Sequence, residues 1–152
     1  MLYIFFGIAA VSFGIDMLTK VLLTSEVTLI PGFISIHPVH NDGAAFSIFS
    51  GLGVWLIIFT AGIIFIGIHY YFHFYRKGLT KSVLFHVAAA LILGGALGNL
   101  FDRIFFGYVR DFIRLDFINF PIFNFADICL NVGVVLLIWW LLFIYRGKPN
   151  AT

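Results

Sequence analysis

The 152-residue chain is 62% hydrophobic and 11% charged, and its mean hydropathy is +1.08. Soluble domains have about 45–50% apolar and about 25% charged residues, so this composition excludes a water-soluble globular protein. The formal net charge of +2 is too small and too scattered to indicate nucleic-acid binding. The single cysteine, Cys129, excludes an internal disulfide.

Four apolar segments approach the ~20 residues that span a bilayer, and they predict an all-α integral membrane protein with one domain, 1–152. The predicted spans are 2–23, 52–75, 82–100 and 126–145. The first segment lacks a basic region ahead of it and carries Asp16 and Lys20 near its end. We therefore expect a retained span rather than a cleaved signal peptide.

The distribution of basic residues predicts the orientation. The second connection and the C-terminal tail contain basic residues without any acid: Arg76, Lys77, Lys81, Arg146 and Lys148. The first connection, 24–51, contains neither Lys nor Arg. The positive-inside rule then places both termini in the cytoplasm and the connections 24–51 and 101–125 on the outer face. Strand-prone runs broken by Pro and Gly predict short extended segments in the first connection.

Polar residues recur at helical spacing in the outer parts of three predicted spans. An ionisable residue within the bilayer costs about 2.5–3.5 kcal/mol, so each requires a partner or a function. The three stripes are Ser12, Asp16 and Lys20; Gly95, Asn99 and Asp102 with Arg103 beside them; and Asn124, Asp127 and Asn131. Their convergence predicts a site in the outer leaflet.

Each stripe also has a purely structural interpretation. Asp16 and Lys20 can form an i,i+4 ion pair. Asn124 can cap the fourth helix, with Asp127 in its first turn near the positive end of the helix dipole. Gly94 and Gly98, with an Asp–Arg pair at the helix end, indicate close helix packing. A structural adaptor that binds a partner helix through these glycines remains an alternative, although it leaves the asparagines unexplained.

The carboxylates in the last connection suggest hydrolytic chemistry. Two carboxyl groups in one apolar pocket share a proton, so that one can activate water while the other polarises a carbonyl. Asp111 and Asp127 are the best candidates because each adjoins a polar stripe. Asp116 lies two residues from Arg114, which predicts a surface ion pair. A transporter that uses Asp16, Asp102 and Asp127 as a relay is the alternative, but no internal repeat supports it.

The histidines are weaker candidates. His69 and His73 have i,i+4 spacing but no third ligand nearby, and His37 and His40 lie in a loop without an acid or cysteine cluster, so no metal site is predicted. The chain also lacks the sequence signatures of serine hydrolases, P-loop proteins and zinc proteases.

Five motifs in order resemble bacterial lipoprotein signal peptidases, also called signal peptidases type II. They are DMLTK (16–20), NDGAAF (41–46), GGALGNLFDRI (94–104), VRDFI (109–113) and FNFADICLNVG (123–133). The resemblance implies a membrane aspartic endopeptidase that removes the signal peptide of a diacylglyceryl-modified prolipoprotein before the lipidated cysteine. It also implies a small β-cradle formed by the first outer loop, and a flexible lid loop between the two aspartates, both on the outer face.

The resemblance assigns roles to individual residues. Asp111 and Asp127 would form the catalytic dyad. Position 110 varies in such motifs, and from its place beside the dyad we separately expect Arg110 to favour the ionised form of Asp111 modestly. The substrate-binding residues would be Asn41, Gly43, Asn99, Arg103 and Asn124, and the structural polar residues Asp16, Lys20, Asp102 and Asn131. No metal or other cofactor is implied. The implied partners are prolipoproteins, membrane lipid and globomycin-type cyclic peptide inhibitors, for a monomer in the bacterial inner membrane.

Overall fold

The computed structural model describes residues 1–43, 53–78 and 81–145. These residues form four helices, α1 to α4, and three strands, β1 to β3. In chain order the elements are α1 (Leu2–Leu22), β1 (Val27–Ile30), β2 (Ile34–Asn41), α2 (Gly53–Arg76), α3 (Val83–Phe106), β3 (Val109–Leu115) and α4 (Phe125–Trp139), which continues as a π-helical segment (Trp140–Tyr145). All four of these helices are long and apolar enough to cross a membrane, which fits the predicted multi-pass membrane protein.

Helix α3 lies at the centre of the bundle. It packs against α1 on one side and α4 on the other. Half of the residues in an apolar 18-residue stretch of α3 are buried, whereas none is buried in the corresponding stretch of α2. The buried side chains of α1 follow one stripe: Phe5, Ala9, Ser12, Asp16 and Lys20. Most other α1 side chains are apolar and exposed, as expected for a helix whose remaining faces contact lipid.

Glycines allow these helices to approach closely. A Cβ atom at Gly94 would lie 2.8 Å from the Ala9 carbonyl oxygen, and one at Gly98 would collide with the Asp16 carboxylate. The small-xxx-small pattern of α3 is therefore covered by α1. Because α1 occupies this face, the glycines are not available to a partner helix.

The three strands form an antiparallel sheet in the order β1-β2-β3 at one end of the bundle, here called the sheet end. Strand β2 contains a bulge between Ile36 and Val39, where Pro38 lies. Proline is tolerated at such a bulge because it has no N–H to donate to the sheet. Beyond the bulge, Val39 pairs with Asp111, so the register of β2 decides where that carboxylate lies.

Two elements differ from the sequence-based expectation. Helix α3 continues to Phe106, six residues beyond the predicted span, and ends at Gly107, whose φ of 82° is left-handed. The following residues, expected to belong to a loop, form β3 and complete the sheet. The predicted small β-structure is therefore present, but its third strand comes from the connection between α3 and α4.

An aromatic cluster closes the other end of the bundle, here called the far end. Tyr71, the one buried side chain of α2, stacks on Phe5 with 3.8 Å between ring centroids. Its hydroxyl lies 2.9 Å from Nδ1 of the fully buried His86 of α3. This polar pair was not predicted from the sequence, although a histidine within the apolar run of α3 was a visible signal.

Candidate active site

The polar residues of α1, α3 and α4 meet at the sheet end of the bundle. Their central cation is Lys20, which is 2% exposed. Its Nζ lies 2.8 Å from Asp16 Oδ2 and 3.2 Å from Asp102 Oδ2, and it donates to Asn99 Oδ1 at 3.1 Å. The predicted Asp16–Lys20 pair is thus present, and a second acid from α3 extends it.

Each acid around Lys20 has a further partner. Asp16 Oδ1 accepts a hydrogen bond from the Ala126 backbone N–H at 2.9 Å, which connects α1 to the first turn of α4. Asp102 pairs with Arg110 at 2.7 Å, not with the adjacent Arg103. The buried charges therefore compensate one another, as buried ions must when water is excluded.

Two asparagine side chains connect Lys20 to Asp111 and Asp127. Asn99 Oδ1 accepts from both Lys20 and Asn124, which orients its Nδ2 to donate to Asp127 Oδ1 at 2.8 Å. The Nδ2 of Asn124 also donates to Asp111 Oδ1 at 2.6 Å. The two carboxylates, 16 positions apart in the chain, therefore belong to one hydrogen-bonded network.

The start of α4 holds Asp127 in place through a capping box. Asn124 Oδ1 accepts from the Asp127 N–H, and Asp127 Oδ2 accepts from the Asn124 N–H, both at 3.0 Å. The predicted cap is therefore present. Because Asn124 is fully buried and also contacts Asp111, one residue both caps the helix and joins the two carboxylates.

Asp111 occupies a dry environment at the edge of the sheet. It is 3% exposed, and burial raises the pKa of its carboxyl to about 6. The charge of Asp127 raises the pKa further, whereas hydrogen bonds from Asn41 and Asn124 oppose the rise. Asp111 thus keeps a proton at a pH where an exposed aspartate is ionised.

The end of β2 approaches the site through Asn41 and Gly43. Asn41 Nδ2 donates to Asp111 Oδ2 at 2.8 Å, and its Oδ1 accepts from the Gly43 N–H. The Gly43 carbonyl in turn accepts from Arg103 Nη2 at 3.1 Å. Arg103 therefore links α3 to the segment after β2. Positions 44–46 of the NDGAAF motif lie outside the described residues.

Asp116 and Arg110 lie away from the pair. Asp116 binds Arg114 at 2.7 Å, and this hydrogen bond lowers the pKa of Asp116, the opposite of the shift at Asp111. The expectation that Arg110 favours ionised Asp111 is wrong, because Arg110 contacts Asp102 instead. Successive side chains of a strand point to opposite faces, so Arg110 and Asp111 face away from each other.

Asn131 does not join the cluster. It is exposed on α4 and has no hydrogen-bond partner within the described residues. Four positions advance a helix by about 400°, so Asn131 lies about 40° around the axis from Asp127, toward the exposed side. The prediction that it belongs to the buried polar set is wrong.

The histidines considered from the sequence have other contacts. His69 and His73 stack on each other at 6.4 Å, His37 pairs with Glu26, and His40 stacks on Tyr108. Among the described residues, no group of three or more His, Cys, Asp or Glu side chains is placed to hold a metal ion. The network around Asp111 and Asp127 is therefore the candidate active site.

Comparison with known proteins identifies the family of the chain. A family model described as signal peptidase (SPase) II matches residues 8–143. The lipoprotein signal peptidase of Symbiobacterium thermophilum is 42% identical over 147 residues, covering 91% of this chain and 94% of that protein. That of Lactobacillus johnsonii is 40% identical over 129 residues, covering 84% and 80%.

Solved structures show the same architecture. A bacterial membrane enzyme determined by the in meso method at 2.3 Å superposes with a TM-score of 0.82 at 33% identity, covering 95% of this chain and 92% of that one. A second, at 1.9 Å, gives a TM-score of 0.77 at 34% identity, covering 90% and 91%. The chain therefore belongs to the signal peptidase II family of membrane proteases, which cleave signal peptides from prolipoproteins.

Proposed function

We propose that the protein is an aspartic endopeptidase that cuts diacylglyceryl-modified prolipoproteins immediately before the lipidated cysteine. The observation that carries this proposal is the connection of the buried Asp111 and the half-buried Asp127 through the fully buried Asn124, at the end of three apolar helices. Burial and the charge of Asp127 both raise the pKa of Asp111, so we expect the pair to hold one proton, the state that aspartic proteolysis requires.

In the proposed reaction, Asp127 is the ionised member and Asp111 holds the proton. Asp127 removes a proton from water, and the resulting hydroxide forms a bond to the scissile carbonyl carbon. Asp111 donates a hydrogen bond and then its proton to the carbonyl oxygen. When the tetrahedral intermediate collapses, the C–N bond breaks and the leaving amine takes up a proton from the pair. The step uses water and two carboxyls and needs no cofactor.

The surrounding polar residues are proposed to bind and orient the substrate. Asn41, Gly43 and Arg103 bridge the sheet and α3 beside Asp111. Asn99 and Asn124 hold the carboxylates. The turn that follows β3 is proposed as the lid over the bound precursor, and globomycin-type cyclic peptides as inhibitors. A monomer contains every residue assigned to the reaction.

The sheet end is proposed to face the outside of the bacterial inner membrane, with both termini in the cytoplasm. The basic residues of the α2–α3 connection, including Arg76 and Lys77, lie at the far end, in agreement with the positive-inside rule. A prolipoprotein carries its lipid in the outer leaflet, so this orientation brings the bond to be cut to the level of Asp111.

Purified protein in lipid nanodiscs should cleave a diacylglyceryl-modified precursor and leave the unlipidated precursor intact. The lipid is expected to matter because it brings the scissile bond into the apolar site. The measurement is a gel-shift assay with mass spectrometry of the product, whose new N-terminus should be the lipidated cysteine. Equal cleavage of both precursors would contradict the proposed substrate class.

The proposal also predicts the pH dependence of kcat/KM. Activity should fall as the pH rises through about 6, because Asp111 then loses the proton that the reaction needs. Asn41→Leu removes a hydrogen bond that stabilises ionised Asp111, so the falling limb should move to higher pH. Profiles from pH 4.5 to 8.5 measure this shift, with Asp116→Asn as the control. If the fall in kcat/KM occurred at the same pH in Asn41→Leu as in the wild type, the proposed role of Asp111 would be contradicted.

A further inference from the structure

An apolar groove lies between α2, α3 and α4 and encloses a volume of about 360 Å³. Helix α2 lines it with Ile63, Gly67 and Tyr71, and α3 with Phe85, Ala89 and Ala96. Leu137, Trp140 and Leu141 line it from the α4 side. Its volume falls within the ~300–1,000 Å³ typical of ligand pockets, and none of its lining residues is charged.

The helical period places the groove lining and the active-site residues on the same sides of α3 and α4. On α3, Ala89, Ala96 and Arg103 are spaced seven residues apart, so Arg103 of the active site lies on the same stripe as the groove lining. On α4, Asp127 precedes Leu137 by ten residues. This separation is a rotation of about 1,000°, or about 80° less than three full turns, so the two side chains lie within about 80° of each other around the helix axis. The candidate active site and the groove therefore share a face.

The length of this face fits a particular class of ligand. Phe85, at the aromatic end of the groove, lies about 21 Å along α3 from Asn99. The hydrophobic region of a signal peptide has about 7–15 apolar residues, which extend about 10–22 Å as a helix. A helical signal peptide cut beside Asp111 would therefore reach from the active site to the aromatic cluster.

A peptide segment fits this position better than the acyl chains of the same precursor. One leaflet of the hydrocarbon core is about 15 Å thick, so chains that start near the sheet end stop before Phe85. A signal peptide continues through the membrane past that depth. Its apolar face can fill a groove with side chains spaced i, i+3 and i+4.

We propose that this groove binds the hydrophobic region of the signal peptide, with Tyr71, Phe85 and Trp140 as the floor against which its deeper part packs. The inference rests on the proposed function and names how the substrate is held below the scissile bond. It also explains why Ala89, Ala96 and Gly67, all small, line the middle of the groove. Larger side chains there would occupy the space that the substrate needs.

Two glycines of α2 provide a matched pair of variants. Gly67 lines the groove, Gly62 does not, and a Cβ at either position meets nothing within 4 Å. Gly67→Leu therefore places a side chain at the groove from an open Cβ position, whereas Gly62→Leu adds the same side chain outside the groove. Both changes raise helix propensity equally, so differences in folding are controlled. Thermal unfolding in detergent should be similar for the two variants.

The substrate is a diacylglyceryl-modified precursor with a leucine-rich hydrophobic region of about 12 residues. Gly67→Leu should raise KM about tenfold and change kcat less than twofold, since one apolar anchor is lost and the chemistry is untouched. A precursor with an alanine-rich face should be less affected. Gly62→Leu should match the wild type within twofold, and a cyclic peptide inhibitor that lacks a hydrophobic region should bind both variants equally.

Two results would overturn the inference. The first is equal KM for Gly67→Leu and Gly62→Leu, which would mean that ordinary membrane lipid fills the groove. The second is a KM defect that follows the acyl-chain length of the precursor and not its hydrophobic region, which would assign the groove to the lipid.

A binding measurement separates this inference from the proposed function. A fluorescent signal peptide without the lipidated segment is titrated into nanodiscs that contain the wild type or each glycine variant. If the peptide binds more weakly to Gly67→Leu but equally to Gly62→Leu and the wild type, the groove is supported as the binding site even if cleavage fails. If cleavage is normal and the peptide binds identically to all three proteins, the groove is rejected as the binding site, whereas the proposed protease function is retained.

Discussion

Asp127→Asn is expected to reduce cleavage of a lipidated precursor by about 10⁴-fold, to the background rate, while the protein still folds. The amide cannot accept the proton of the attacking water. Its single amide oxygen can still accept the hydrogen bond that Asn99 donates, but the bond from the Asn124 N–H to the second oxygen is lost. The start of α4 should be retained because Asn124 Oδ1 still accepts from the backbone N–H of residue 127. Asp111→Asn should have a similar effect, because the pair acts as a unit. Initial rates and size-exclusion profiles of purified variants in detergent measure both properties.

Asp116→Asn is the matched control for these variants. Asp116 comes from the same segment of the chain, but it pairs with Arg114 at the edge of the sheet and contacts neither Asp111 nor Asp127. Its activity should stay within twofold of the wild type, since surface ion pairs contribute little to stability. Substantial activity of Asp127→Asn, or a loss in Asp116→Asn as large as in Asp127→Asn, would reject the assignment of the dyad.

Lys20→Met is expected to have the second-largest effect, on both stability and activity. The methionine has a similar length but leaves Asp16 without its cation and Asp102 with Arg110 alone. Removal of one partner from a buried ion pair costs about 3–5 kcal/mol. Thermal unfolding in detergent should show this loss. A further fall in kcat is expected because Asn99 loses one of the donors that orient it toward Asp127.

Two comparisons test the reason for this loss. Lys77→Met removes an exposed lysine of the α2–α3 connection and should leave stability and kcat unchanged. Asp16→Asn combined with Lys20→Met removes one uncompensated charge, so the double variant should be more stable than Lys20→Met alone. If Lys20→Met were as stable as Lys77→Met, the ion cluster would not hold the three helices together.

Much of the helical structure could be predicted because it depends on local spacing and composition. The apolar segments are too long and too hydrophobic for water, and the four predicted helices are confirmed. The pairing of Asp16 with Lys20 and the cap formed by Asn124 follow from the 3.6-residue period and from the needs of a helix end. Such features involve residues only three or four positions apart.

The sheet was harder to predict because strand pairing joins distant residues. Strand β3 pairs with β2, about 70 positions earlier, and nothing local to residues 109–115 requires that partner. The bulge in β2 then sets the register. For this reason the sequence suggested extended segments near the membrane surface but assigned Asp111 to a loop. The same long-range pairing turns Arg110 away from Asp111 and toward Asp102.

The sequence by itself determined that the protein lies in a membrane, that polar residues collect at one end of three spans, and which carboxylates are the candidates for chemistry. These conclusions depend on composition and helical period, which are properties of short segments. Only the tertiary structure decided that Lys20 joins Asp16 to Asp102, that Asn99 and Asn124 connect the two carboxylates, and that Asn131 is excluded. Each of these depends on the rotation of one helix against another, which close packing at Gly94 and Gly98 establishes.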